Sequence, residues 1–215
     1  DYNRVKDPGS ATYNTVILGG NPNLSQSCIA GGDYFYASDI DVKKGNTLIL
    51  DDFHGAVREI KNFEHYIVRL SSWAADGTSL LTVQQESTSG PPLPTDLSGA
   101  TFRLEVSGFS PDGPRPSIGD TISLIRNEDG LATNGMILET PAVSNIRRGI
   151  AWIYDVSLSA GDTSIDATVT ASRLNPQLKS LAEGRAAAMA LNNQGADLVA
   201  GLGISRAAMA AMQGG

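Results

Sequence analysis

Apolar and polar residues alternate through most of the chain. In Phe102-Arg103-Leu104-Glu105-Val106 the apolar side chains point one way and the charged ones the other, the two-residue period of a strand with one buried face. Ile150, Trp152, Tyr154, Val156 and Leu158 repeat the pattern. So do Ile165, Ala167, Val169 and Ala171, opposed by Asp166, Thr168, Thr170 and Ser172. Shorter runs of strand type lie at 47–50, 65–70, 79–83 and 121–125. Residues 1–174 are therefore predicted to be all-β.

A turn triplet recurs before the strands: Gly45-Asn46-Thr47, Gly119-Asp120-Thr121 and Gly161-Asp162-Thr163, with Asp76-Gly77-Thr78 as a near variant. Glycine supplies positive φ, Asn or Asp hydrogen-bonds its own turn, and Thr opens the next strand. Gly77, Gly119 and Gly161 stand 42 residues apart, an interval of about two solenoid coils if each takes roughly 20–25 residues. A stacked parallel array is the expected fold, although turn spacing alone leaves an ordinary β-sandwich open. Loops are expected at 87–95, with Pro91, Pro92 and Pro94, and at 110–117, with Pro111, Pro114 and Pro116, because proline cannot donate to a strand ladder. Gly19-Gly20-Asn21-Pro22 and Gly31-Gly32-Asp33 read as early turns, and residues 1–12 as a leading edge that has lost its upstream neighbours.

The rules change at Asn175-Pro176. Every Phe, Tyr and Trp lies at or before Tyr154, whereas residues 175–215 are alanine-rich. Asn175 is a suitable N-cap and Pro176 a suitable first helical residue, since its missing N–H would have been unpaired anyway. Leu178, Leu181, Ala182 and Met189 fall near one face, and Lys179 and Glu183 are spaced to pair at i, i+4. Asn192, Asn193 and Gly195 are the expected end, and Ser205 the cap of a last short helix running from Arg206 to Met212. A helix with so few bulky side chains makes a weak globular core and suits a narrow tube.

Composition narrows the function. Net charge is −7 with no extended Lys/Arg cluster, which argues against a nucleic-acid partner. One cysteine, Cys28, cannot form an internal disulfide, and with two histidines, His54 and His65, no Cys/His metal cage can be built; no cofactor or metal is expected. No run reaches the roughly 18 consecutive apolar residues of a membrane-spanning helix. The chain opens Asp1-Tyr2-Asn3 without methionine and reads as a piece of something longer, with any export signal outside it.

From Asn175 the string Asn-Pro-Gln-Leu-Lys-Ser-Leu-Ala-Glu-Gly-Arg, continuing to Asn193-Gln194-Gly195-Ala196-Asp197-Leu198, resembles the segment joining passenger to barrel in bacterial type V autotransporters. Gly119-Asp120-Thr121-Ile122-Ser123-Leu124-Ile125 and the stretch 149–169 are similar to the last rungs of pertactin-like passengers. The resemblance is close over about 40 residues and loose over another 50; residues 1–115 match only in style. It implies a right-handed parallel β-helix over 1–174, of which about 118–174 is autochaperone-like and folds first, and an α-helical linker over 175–215 toward an outer-membrane β-barrel absent from this chain. The implied protein is a secreted or surface-displayed adhesin or virulence-type passenger of a Gram-negative bacterium, with its own barrel translocator as partner and ligands on host or neighbouring cells. Two other classes are weighed against it. A β-helix carbohydrate-active enzyme needs acidic side chains converging on one groove, and a trimeric tailspike-like stalk needs a stable trimer.

Individual residues offer little catalytic chemistry, and no catalytic, cofactor or metal residues are assigned. Asp51 and Asp52, with Asp39 and Asp41 nearby, have the residue types of paired glycosidase carboxylates or a calcium site, but a solvated turn is favoured because no calcium-loop spacing is present. His54 and His65 lack a recognisable Ser or Cys partner and read as structural. Cys28 has no motif around it and reads as a small buried or edge residue. Asn192-Asn193 resembles the pair at which some autotransporters cut themselves, with helix termination favoured by its flanks. Trp73, Trp152, Tyr34 and Tyr36 have the residue types of a ligand platform; Trp152 and Tyr154 are in phase with the buried face and read as core, while Tyr34 and Tyr36 remain open.

Overall fold

The computed structural model describes residues 12–32, 42–74, 77–84, 94–178, 180, 183–186, 188–192, 194 and 212–213. Two compact units are present, Asp1–Arg173 and Leu174–Gly215.

The first unit is built from strands. They are β1 (Thr15–Gly19), β2 (Leu24–Ala30), β3 (Thr47–Asp51), β4 (Gly55–Lys61), β5 (His65–Leu70), β6 (Ser79–Val83), β7 (Thr95–Asp96), β8 (Thr101–Val106), β9 (Thr121–Asn127), β10 (Leu131–Ala132), β11 (Ile137–Leu138), β12 (Ala142–Arg148), β13 (Trp152–Ala160) and β14 (Ser164–Leu174). One sheet has the order β1-β3-β5-β8-β11, a second β12-β13-β14-β9-β6-β4-β2, and β7 and β10 form a third. From β1 to β6 the chain passes from one large sheet to the other at every strand. All pairs in the five-stranded sheet are parallel, as are those linking β2, β4, β6 and β9.

Parallel register turns the period-two pattern of each strand into columns. Val16, Leu48, Tyr66, Phe102 and Leu138 stand opposite one another, as do Leu18, Leu50, Val68 and Leu104. Leu48, Tyr66, Phe102, Leu50, Val68 and Leu104 are all fully buried. The Tyr66 and Phe102 rings stack at 6.4 Å with 16° between planes, and Phe63 meets Tyr66 edge-on at 5.9 Å. Each such side chain contributes about 1.5–3 kcal/mol by leaving water. The facing columns Thr15, Thr47, His65, Thr101 and Ile17, Ile49, Ile67, Arg103 fill the other side of the sheet.

The turns stack as well. Asn46, fully buried, precedes β3 as Asn14 precedes β1. Its Oδ1 accepts the Asn14 backbone N–H at 2.8 Å and the Asn14 Nδ2 at 3.3 Å. Its Nδ2 donates to the carbonyls of Val42 at 2.6 Å and Asn62 at 3.1 Å. One side chain thereby satisfies groups from three passages of the chain, which a buried polar residue requires. Gly31 lies against this turn. A Cβ there would stand 2.5 Å from the Asn62 carbonyl oxygen and 2.8 Å from the Asn46 Cβ, so no larger residue fits.

The triplets open β3, β6, β9 and β14 as expected, but the 42-residue interval does not count two coils. β6 pairs directly with β9, so that interval is a single passage lengthened by connections. Passages vary widely: Thr47 meets His65 only 18 positions on, whereas His65 meets Thr101 after 36.

Apart from one parallel bridge between Phe109 and Arg148, parallel pairing ends at β11, a departure from the parallel rungs expected as far as residue 174. β14 pairs antiparallel with β9, and β12 antiparallel with β13. These strands continue the seven-stranded sheet past β9, and Ile146, Tyr154, Val156, Ile165, Ala167 and Val169 on them are buried in the core. Ile150, expected in phase with them, is 71% exposed because Gly149, at φ 57°, turns the chain between β12 and β13. A bulge between Val143 and Ile146 places Asn145 at φ 62°. It is pinned by Asp155, whose Oδ1 accepts the Asn145 N–H at 2.8 Å while Oδ2 pairs with Arg173 Nη1 at 2.6 Å. Arg173 Nη2 also donates to Asn145 Oδ1 at 2.8 Å.

The Arg173 guanidinium holds the Asp155 carboxyl below its ordinary range, with the Asn145 N–H assisting against a smaller opposing effect of burial. A lowered folded-state pKa contributes stability that is present above the unfolded value and lost as pH falls through the folded one. Asp155→Asn is therefore expected to weaken the protein at neutral pH by less than about 1 kcal/mol, the scale of an exposed pair, and to match the parent in acid. Denaturant melts at a series of pH values check this; a deficit that persists at low pH contradicts it.

In the second unit the described residues from Gln177 to Gln194 are helical. Asn175 caps them: its Oδ1 accepts the Gln177 N–H at 3.1 Å and its carbonyl the Leu178 N–H at 2.9 Å. Helical structure reaches Gln194, within the end expected over Asn192 to Gly195. Met189, placed on the apolar face by its spacing, is 58% exposed. Leu181, Ala182, Asn193 and the helix expected from Arg206 lie outside the described residues, apart from Met212 and Gln213, which are helical. Among the described residues no helix is long and apolar enough to cross a membrane.

Candidate functional site

Of the acidic candidates, Asp51 and Asp52 lie among the described residues and have different surroundings. Asp51 is exposed at the end of β3, in the column of Gly19 and Arg69. Asp52 sits in the following turn at φ 46°, where Oδ1 accepts the Ser71 N–H at 2.7 Å and Oδ2 the Ser71 hydroxyl. Asp52 therefore ties one turn to the next. Asp39, Asp41, Tyr34 and Tyr36 lie outside the described residues. No group of three or more His, Cys, Asp or Glu stands together among the described residues.

His54 occupies the turn between β3 and β4, its N–H donating to the Gly20 carbonyl at 2.8 Å. His65 opens β5, its Nδ1 2.8 Å from the Thr101 hydroxyl in the neighbouring strand. Trp73 is no surface platform. It is 2% exposed, with its ring edge-on to Phe109 at 5.5 Å, and Phe109 in turn packs on Tyr154 at 5.9 Å. Trp152 is half-buried under the Arg115 guanidinium, 3.5 Å from its ring centroid.

Sequence reasoning missed a polar recess in the first unit. A cavity of about 200 Å³ is lined by Lys43, Glu59, Ile60, Lys61, Asn62, Pro94, Thr95 and Asp96. β4 presents Glu59 and Lys61, the turn before β3 presents Lys43, and β7 presents Thr95 and Asp96. Two ion pairs occupy it, Lys43 Nζ to Asp96 Oδ2 and Lys61 Nζ to Glu59 Oε1, both at 2.6 Å. Burial raises the Asp96 pKa, but hydrogen bonds from Lys43 and from Ser98 outweigh it, and the net direction is down. Asp96 is thus a carboxylate at neutral pH and a poor proton donor. Only parallel register brings these residues together from positions 43, 59–61 and 94–96, so no local motif announces them.

Cys28, on the edge strand β2, lies opposite Glu59 and donates its thiol hydrogen to Oε2 at 3.3 Å. Burial first, and then the hydrogen bond and charge of Glu59, push the thiol up to about 11, against smaller opposing effects of Lys61 and Arg58. A thiol so held is a weak nucleophile. Alkylation of Cys28 at neutral pH is expected to run about a hundredfold slower in the folded chain than in urea, following the loss of thiolate. Intact-mass kinetics with iodoacetamide measure it, and equal rates would contradict the geometry.

The recess therefore offers charges already matched to one another beside a protonated thiol. Its evident work is to join passages: Lys43 and Asp96 lie 53 positions apart in the chain. Comparison with family models, curated proteins and solved structures finds no match to this chain.

Proposed function

We propose that the chain is the C-terminal part of a type V autotransporter passenger: a right-handed parallel β-helix whose last strands act as folding nucleus, followed by a helical linker toward an outer-membrane β-barrel. Its work in this reading is mechanical. It displays and steadies an adhesin or virulence-type passenger at the cell surface of a Gram-negative bacterium, and carries no catalytic machinery of its own.

The observation that carries the reading is the order of the parts. Parallel strands alternate between two sheets with aligned apolar columns, antiparallel strands β12, β13 and β14 follow, and an alanine-rich helical segment capped by Asn175 comes last. Stacked coils stabilise their neighbours, so folding can spread from an already ordered end. The strands β12–β14 supply such a starting point, since their apolar side chains are buried in the core. A helix with little apolar side-chain volume fits a barrel lumen.

The test joins an export signal to the N-terminus and an outer-membrane barrel to the C-terminus, in a Gram-negative host. Display is expected on intact cells, with a fragment resistant to added protease, and the isolated chain is expected to be monomeric by light scattering. Retention in the periplasm despite a correctly inserted barrel would overturn the passenger reading. A stable trimer would favour a tailspike-like stalk.

A further inference from the structure

The connection from β10 to β11 is the turn Thr133-Asn134-Gly135-Met136, closed by the Met136 N–H donating to the Thr133 carbonyl at 3.0 Å. Gly135 has φ 70° and Asn134 a negative φ, which makes this a type II turn with its central amide directed away from the closing bond. One passage earlier an equivalent turn, Leu97-Ser98-Gly99-Ala100, has Gly99 at φ 69°. There the Gly99 N–H is engaged: it donates to the Asn134 carbonyl at 2.9 Å. β10 and β11 are the last strands of their sheets, so no further turn follows to accept the Gly135 N–H. That amide has no hydrogen bond among the described residues, nor has the exposed side chain of Asn134.

We propose that Asn134-Gly135 is a site of spontaneous backbone modification. The Gly135 nitrogen attacks Cγ of the Asn134 side-chain amide, unobstructed because glycine carries no side chain. The N–Cγ bond forms, the Cγ–Nδ2 bond breaks, and ammonia leaves with the proton shed by the Gly135 nitrogen, giving a five-membered succinimide. Water then adds to one of the two ring carbonyls. Opening at one gives aspartate; opening at the other gives isoaspartate, in which the main chain runs through the former side chain. Each product adds a negative charge, and isoaspartate also lengthens the backbone at the residue whose carbonyl accepts Gly99.

Asn46, Asn127 and Asn145 are held back. Asn46 and Asn127 are fully buried with both amide ends engaged, Asn127 donating to the Thr95 hydroxyl at 2.8 Å and accepting the Asp129 N–H at 2.9 Å. Asn145 is followed by the β-branched, buried Ile146, and its Oδ1 accepts from Arg173. Selectivity for Asn134 over these three thus comes from its exposure, its glycine neighbour and the unengaged Gly135 amide.

The test incubates the intact folded chain at neutral pH and maps its peptides by mass, with an isoaspartyl carboxyl methyltransferase as probe. Asn134 is expected to lose its amide several times faster than Asn46, Asn127 or Asn145, and Asn134→Gln to remove the methyl label from the peptide that carries position 134. A folded chain that keeps the Asn134 amide while the urea-unfolded chain loses it would overturn the proposal, because the fold would then protect the turn. So would labelling of that same peptide that persists undiminished in Asn134→Gln.

Discussion

Replacing Phe102 by alanine is expected to remove about 3–5 kcal/mol of unfolding free energy. Phe102 is 0% exposed, stands opposite Tyr66 on one side and Leu138 on the other, and stacks on the Tyr66 ring. Truncation leaves a void inside a column, where the strands on either side are fixed by ladder hydrogen bonds and cannot close it. Phe102→Leu should cost much less, because most of the volume is kept. Urea titrations read the effect as a shift in midpoint at unchanged slope. A loss below about 1 kcal/mol would mean that the column is not packed as described.

Asn46→Ala is the second large effect, expected at about 2–4 kcal/mol because it removes part-buried hydrogen bonds to the Asn14 N–H and to the carbonyls of Val42 and Asn62 at once. Asn46→Asp separates the two halves of this interaction. It keeps the oxygen that accepts from Asn14 but turns a second oxygen toward two carbonyls. It should be at least as damaging as alanine at neutral pH and should recover as the carboxyl is protonated in acid. Recovery absent at low pH would show that the Nδ2 donors do not matter.

Much of the β unit was legible because an amphipathic strand writes its burial into its sequence. β5, β8, β13 and β14 alternate cleanly, and the Gly-Asn/Asp-Thr triplets stand where strands begin. Period two is the same in parallel and antiparallel ladders, however. Nothing in Ile165, Ala167 and Val169 could tell that β14 runs against β9. Residue spacing also misled, since Gly77 and Gly119 measure one passage with its long connections and Gly161 opens an antiparallel strand.

β4 and β2 escaped notice for another reason. Gly-Ala-Val-Arg-Glu-Ile-Lys buries Glu59 and Ile60 side by side, and Leu-Ser-Gln-Ser-Cys-Ile-Ala has a register shift between Leu24 and Cys28. Broken alternation hides a strand. The polar recess was illegible for the same reason in three dimensions, because Lys43, Glu59, Lys61 and Asp96 become neighbours only once the sheets are in register. Trp73 shows the converse: an isolated aromatic in a connection looked available to a ligand, and the structure spends it on the interior against Phe109.

Alignment of successive passages is open to direct measurement by NMR. Parallel neighbours keep their Hα atoms apart, whereas antiparallel neighbours bring them together at non-hydrogen-bonded positions. Close Hα–Hα contacts are expected between β9 and β14 and between β12 and β13, and none between β3 and β5 or between β5 and β8, where Tyr66 should instead show ring contacts to Phe102. Strong Hα–Hα contacts linking β5 to β8 would mean hairpins in place of stacked passages, and the columns described above would not exist.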